Sequence, residues 1–245
     1  MRIIISQPRY LPVPCYLSRL LHSDLFVILD DVQRQYLGVE NRNKILTAKG
    51  PRWLSVPISS SRKAMIQDAE ISGNAWVADH YNSIASHYKN APCFNQEWLD
   101  SLFSVLRDIG PDGAPYADVI VDYLTALCGF FGFKPNLVRS STLDIDHEET
   151  GPAHLYSIAE AVGASHYISG ANGIHYGIDA VFPEEMLLFH HYEPLAYPQF
   201  NAEAFVPWMC FWDMLFNVGY EETVRHINEP LALKCLNGDA FDADA

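Results

Sequence analysis

Residues 2–31 read RIIISQPRYLPVPCYLSRLLHSDLFVILDD, and the reading of this stretch decides the fold. Ile3-Ile4-Ile5 is a β-branched run that stops at Ser6-Gln7-Pro8, so it reads as a buried strand ended by a proline. Tyr16 to His22 has helical spacing, with Tyr16, Leu17, Leu20 and Leu21 on one side. Asp24 to Leu29 is a second apolar strand, closing on Asp30-Asp31. Strand, proline-rich turn, short helix and strand make the opening of a βαβ unit, which predicts two neighbouring parallel strands.

Working outward, strands at Asn43–Ala48 and Arg52–Ile58 are joined by a Lys49-Gly50-Pro51 turn, and Ile66–Ile71 is a further short strand. Helices follow at Asn74–Asn90, with Asn74 as N-cap, at Gln96–Arg107 and at Tyr116–Gly129. The alternation then resumes: a strand at Asn136–Leu143, a helix at Pro152–Val162 stopped by Gly163, and strands at His166–Ser169 and Leu187–His191. Helices at Ala202–Phe216 and Tyr220–Ile227 close the chain. The expectation is an α/β fold, a mostly parallel open sheet with flanking helices and an inserted helical block at about 74–132. One domain spans 1–236, and 237–245 is an acidic disordered tail.

Composition narrows the function classes. The chain has 245 residues, 49% of them hydrophobic and 19% charged, enough apolar matter for a sizeable core. Its formal charge of −14 disfavours a general nucleic-acid binder, and no DNA partner is expected. That charge is uneven. Residues 1–63 hold ten basic and four acidic groups, a net of +6, which leaves −20 on the remainder. The five cysteines are widely spaced, with no CxxC pair, which fits a reducing cytoplasm and argues against structural zinc. The opening residues MRIIISQPRYLP lack the long apolar stretch and small-residue cleavage site of a signal peptide, and the apolar segments 119–133 and 204–218 are broken by Asp122 and Asp213, so no membrane span is expected.

Three polar motifs lie in the basic segment. In the first, at the end of the first strand, Gln7 offers an amide, Arg9 a fork for phosphate and Tyr10 a hydroxyl or stacking face. The second is Asp30-Asp31-Val32-Gln33; successive side chains on a strand alternate, so one carboxylate at most need face a site, where it would serve as a base. The third, Glu40-Asn41-Arg42-Asn43-Lys44, offers four hydrogen-bonding groups, Asn41, Arg42, Asn43 and Lys44, that suit phosphate or sugar hydroxyls. Outside the segment, Asp79-His80 is the histidine pair that stands out, and Ser169-Gly170 ends a strand where a backbone can approach a ligand. No GxSxG, Walker A or GxGxxG motif occurs, which disfavours a triad hydrolase, a P-loop enzyme and a Rossmann dehydrogenase.

Read together, SQPRYLPVPCY, DLFVILDDVQ, NRNKI, WLSVPI, APCF, YISG, YPQF and DMLFNVG resemble the ordered motifs of the WbqC-like protein family over about residues 2–220. Cys15 departs from the pattern, which has glycine before Tyr16. The resemblance implies a bacterial enzyme of polysaccharide or O-antigen clusters that transfers an acyl or aminoacyl group to an amino sugar. Tyr16, Gln33 and Gln199, which stand in these motifs, complete the expected substrate-binding residues.

The expected protein is therefore a cytoplasmic transferase for a phosphate-bearing small molecule such as a nucleotide-linked amino sugar. Arg9, Arg42 and Lys44 would hold phosphate; Gln7, Tyr10 and Asn41 would orient sugar or base; Asp30 or Asp31, with His80, would take the amine's proton. The cofactor is unassigned and no obligatory bound metal is expected. The acyl donor would be an acyl-CoA or an aminoacyl-tRNA, and a tRNA would land on the +6 segment. The alternatives are a nucleotidylyltransferase-like enzyme, with Tyr16 at the place of a catalytic histidine, and a non-catalytic sugar-binding or assembly protein.

Overall fold

The structure, a computed structural model, describes residues 1–35, 38–59 and 64–241. Of the ten basic residues in the first segment, Arg62 and Lys63 lie outside them.

The opening stretch folds as a βαβ unit. Strand β1 (Arg2–Ser6) is followed by helix α1 (Pro14–His22) and strand β2 (Leu25–Ile28), and β1 and β2 pair in parallel from Ile3↔Leu25 to Ser6↔Ile28. Proline is tolerated at the start of α1 because the first N–H of a helix has no partner to lose. Strands β3 (Arg42–Thr47) and β4 (Gly50–Ser55) form an antiparallel hairpin, and β5 (Ile58–Ser59) pairs with β6 (Glu70–Ile71). Helices α2 (Ala75–Tyr88), α3 (Gln96–Ile109) and α4 (Tyr116–Phe130) come next. The chain then returns to the main sheet through β7 (Leu137–Arg139), α5 (Gly151–Ala161), β8 (His166–Gly170) and β9 (Leu187–His190). Helices α6 (Phe211–Val218) and α7 (Tyr220–Ile227) and strand β10 (Leu233–Lys234) complete it.

The main sheet has the order β10-β9-β8-β1-β2-β7, parallel except for β10. It is covered on both faces, which is why its strands are continuous apolar runs. Ile4, Phe26, Ile28, Ile168 and Leu188 face α1, the α2–α4 block and α6. Ile3, Ile5, Val27, Tyr167, Leu187 and Phe189 face Ile158 and Ala159 of α5, and Phe182. Among the described residues no helix is long and apolar enough to cross a membrane.

Several elements differ from the sequence reading: of the strand expected over Ile66–Ile71 only Glu70–Ile71 is extended, and that expected over Arg52–Ile58 breaks after Ser55 at Pro57. The helix expected from Ala202 begins only at Phe211. Pro207 has no N–H and disfavours a helical residue before it, Trp208 takes φ +63°, and the Gln199 amide captures Val206's backbone at both N–H and C=O. The strand expected over 136–143 stops at Arg139, where Ser140–Thr142 turn into a single 3₁₀ turn. Asn74 does not cap α2 with its side chain, which accepts instead from the Asp112 N–H. The expected tail is folded at its start: Cys235 N–H donates to Asp239 O, Phe241 N–H donates to Leu233 O, and the Phe241 ring packs on His166. Residues 242–245 lie outside the described part.

Candidate functional site

Strands β7, β2, β1, β8 and β9 end on the same edge of the sheet, and the winding reverses between β1 and β8. From β1 the chain moves outward to β2; from β8 it moves the other way, to β9. In open α/β sheets the crevice outside such a reversal is where ligands bind, because the connecting loops part there. The ends of β2, β1, β8 and β9 span roughly 14 Å at the usual strand spacing, within reach of one small ligand.

The residues nearest the reversal carry unspent polar groups. Gln7 and Arg9 follow β1, both half-buried, and their side chains make no hydrogen bond or ion pair with any described residue. Arg19, on α1, has an enclosed Nε with no partner. Burial lowers its pKa from the usual arginine value, and the charge of Arg9 adds to that effect, so the two cations lie close enough to repel. No described carboxylate neutralises either. Two cations held together without a counter-ion are a site for an anion. Across the reversal, Gly170 leaves open space where a side chain would stand, while Ser169 is buried against Gly173, whose missing Cβ would fall 2.0 Å from the Ser169 Oγ.

The loop between β1 and α1 is rigidly held. The Tyr16 hydroxyl donates to Gln7 O (3.0 Å), and Tyr10 N–H donates to Glu40 O (3.0 Å). Leu11, fully buried, sits at φ +47°, a left-handed conformation that costs a leucine of order 1 kcal/mol or more. Asn43 Nδ2 donates to its carbonyl and Phe211 N–H to the Pro12 carbonyl, which hold the strained turn in place. Cys15 keeps a negative φ inside α1, so the backbone there does not require the glycine of the family pattern. Burial pushes its thiol up to about 11, so it stays protonated.

Asp30 and Asp31 part company at the end of β2. Asp30 is fully buried and its oxygens are consumed: Ser141 N–H and Oγ and Arg139 Nε donate to them, while the Asp30 N–H donates to Ser140 Oγ. It braces the 3₁₀ turn after β7 and is not available as a base, contrary to expectation. Asp31 accepts from Ser140 and from His147 Nδ1 (2.8 Å), and His154 Nε2 lies 3.1 Å from the same oxygen. Burial alone would raise this carboxyl, but the Ser140, His154 and His147 contacts outweigh it and hold it below the usual aspartate value. In return Asp31 raises the pKa of His147, whose side chain is 41% exposed. The outcome is a partly exposed carboxylate–imidazole pair whose other ring nitrogen, Nε2, lies 3.2 Å from the Leu143 carbonyl.

Other expected residues go elsewhere. His80 is buried between Tyr10 and Trp76 with its Nδ1 2.9 Å from the Tyr10 hydroxyl, and burial pulls it down to about 4. Both it and the fully buried Tyr10 belong to the core of the helical block. Asn41 Nδ2 donates to Val56 O, and Asn43 holds Leu11. Arg42 and Lys44 lie over Trp53, with the guanidinium 4.3 Å from the ring centroid. Gln33 is exposed and bridges Met65. Gln199 is buried against Asp213. Arg19, His147 and His154 had no place among the expected site residues, and Glu40 opened the third motif without a role of its own. Glu40 is 1% exposed, and neither carboxylate oxygen has a hydrogen-bond partner among the described residues; Arg34 Nε stands 4.0 Å away. Its main chain is clamped by Tyr10 N–H and the Tyr116 hydroxyl, which puts it beside the β1–α1 loop. An arginine inside an amphipathic helix and a histidine in a polar loop carry no local signal; only pairing across the chain marks them.

Among the described residues no group of three or more His, Cys, Asp or Glu side chains is arranged to hold a metal ion. The profile of the WbqC-like protein family matches residues 7–225. The uncharacterized protein Rv1507c of Mycobacterium tuberculosis is 25% identical over 226 residues, covering 90% of this chain and 95% of that one. No solved structure matches significantly.

Proposed function

Starting from the fact that the chain belongs to the WbqC-like protein family, we propose that it is a biosynthetic transferase that moves an acyl or aminoacyl group onto an amine of a phosphate-bearing metabolite, such as a nucleotide-linked amino sugar. The observation that carries this reading is the pair Arg9 and Arg19, uncompensated at the strand reversal. The phosphate lies on these two guanidiniums, with the amino end of α1 adding favourable potential. Gln7, unspent at the end of β1, orients the group next to it.

In the transfer the amine nitrogen attacks the acyl carbon of an acyl-CoA or aminoacyl-tRNA. A C–N bond forms, the donor's C–S or C–O bond breaks, and the proton lost by the amine returns to the leaving sulfur or oxygen. Asp31 acts through His147 in this proton movement: Nδ1–H donates to Asp31, so Nε2 is the nitrogen that accepts, once the amine displaces the Leu143 carbonyl 3.2 Å from it, and Asp31 stabilises the imidazolium that results. This replaces the earlier expectation of His80 as partner, since His80 lies in the core.

A second reading, nucleotidylyl transfer, is favoured by the strand order β7-β2-β1-β8-β9, the doubly wound arrangement that carries nucleotides at its reversal. One experiment addresses both. The purified protein is incubated with amine-bearing nucleotide sugars and candidate donors, and products are weighed by mass spectrometry while pyrophosphate is assayed. An acylated amine supports the first reading and pyrophosphate release the second. Binding of pyrophosphate is titrated in parallel: Arg9→Ala and Arg19→Ala should each weaken it roughly 10- to 100-fold, the worth of one charge-assisted hydrogen bond. Unchanged affinity in both variants would remove the basis of the reading.

A further inference from the structure

One strand further along the same edge, at the end of β9, lies a cavity of ≈ 370 Å³. Ser18 of α1, the His190–Glu193 segment, and His226, Glu229 and the chain after it form its walls. This volume is at the lower end of small-molecule sites, enough for one ring system with a sugar. The Cα register pairs His190 with Gly170, so the cavity opens beside the crevice. Arg19 follows Ser18 in the chain and its charge acts on His190.

His190 is the informative wall. It is 7% exposed, yet its imidazole makes no hydrogen bond to any described residue, and its nitrogens are not sealed off. A polar ring so deeply buried with its nitrogens unspent faces the cavity for want of any other outlet. His226, 4% exposed, is held from behind by the Tyr192 hydroxyl at its Nε2 (3.0 Å). Leu195, Pro230 and Leu231 supply apolar surface and Tyr192 an aromatic ring.

The charges sort the ligand. Glu193 and Glu229 line the cavity; Glu229 is bonded to Arg225 (3.3 Å), which leaves Glu193 to repel an anion and to accept a hydrogen bond from an amino group. The anion-attracting groups, Arg9 and Arg19, lie outside it at the crevice. A ligand that satisfies both is a flat ring bearing an amine, followed by a sugar and then phosphate.

We propose that this cavity binds the nucleoside part of the ligand, a base with an exocyclic amino group, whose phosphate rests on Arg9 and Arg19. The assignment builds on the reading of the crevice as a phosphate site and names the substrate class for it. His190 hydrogen-bonds a ring nitrogen of the base, Glu193 receives its amino group, and Tyr192 packs against it.

Calorimetric titration of the full chain with adenosine, AMP, uridine and pyrophosphate tests it. Adenosine should bind on its own, more tightly than uridine, and AMP more tightly than adenosine. His190→Ala should weaken adenosine at least tenfold and leave pyrophosphate unchanged. Ala232→Trp, an exposed position at the rim, should do the same by blocking the cavity without disturbing the core. If adenosine does not bind, or binds equally to both variants, the assignment is overturned, and pyrophosphate binding that depends on Arg9 and Arg19 would still stand. Adenosine binding that is sensitive to His190→Ala supports it even if pyrophosphate proves indifferent to the arginines.

Discussion

At Asp31 two residues adjacent in sequence separate into different roles, because one carboxylate is surrounded by donors of the β7 turn and the other by histidines. His147 reports on this. Its pKa is raised above 6.5, chiefly by the hydrogen bond to Asp31. The stability it adds is complete below pH 6.5 and is lost as pH rises through the raised value, and the exposure of the ring keeps it small. Asp31 works in the opposite direction: its depressed pKa adds stability above about 3.8 that is lost as pH falls through the lower value. In Asp31→Asn the His147 imidazole should titrate lower, toward 6.5, followed by its ring-proton NMR shifts, and turnover should fall sharply while the far-UV circular dichroism is kept. An unmoved His147 titration would show that the pair does not form in solution. None of this was legible locally: Asp30 and Asp31 look alike in sequence, and His147 lies more than a hundred positions from its partner.

At the scale of elements, the β3–β4 hairpin does more than carry cations. Asn43 reaches from β3 to the Leu11 carbonyl, and its Oδ1 accepts from Lys44 N–H. Cys210 N–H donates to Lys44 O, so the same strand also anchors the chain just before α6. The sequence reading took Asn41 and Asn43 for ligand groups because asparagine in a polar loop looks the same whether it meets a ligand or a backbone. Asn43→Ala should cost about 1–2 kcal/mol in urea denaturation with an unchanged slope, and should weaken pyrophosphate binding as the Leu11 turn relaxes. Stability lost with binding intact would mean that the loop keeps its shape without the hairpin. The βαβ opening, by contrast, was readable almost to the residue, since an apolar run, a proline stop and a helical stripe are local properties.

Across the whole molecule, buried histidines couple the packed state to pH. Burial holds His80 and His190 at about 4, so both are neutral when folded and take up protons when unfolded. Because the folded value lies below the unfolded 6.5, stability falls as pH drops from 6.5 toward 4, by on the order of 3 kcal/mol for each ring. Denaturation at pH 7, 6 and 5 should show that decline, and His190→Gln should make it shallower; an equal decline in the variant would place the titration elsewhere. The −14 total charge hid a related property, since the cations of the first segment fall into separate places: Arg9 and Arg19 at the crevice, Arg42 and Lys44 over Trp53. The linear chain by itself determined the α/β class, the parallel first pair of strands and the place of the helical block, because apolar periodicity, prolines and glycines act on near neighbours. Only tertiary structure decided which polar groups were consumed and which left free. Asp30, Asn41, Asn43, His80 and Gln199 found partners from distant segments, while Gln7, Arg9, Arg19 and His190 did not. A hydrogen bond is satisfied or unsatisfied only once the far end of the chain has arrived.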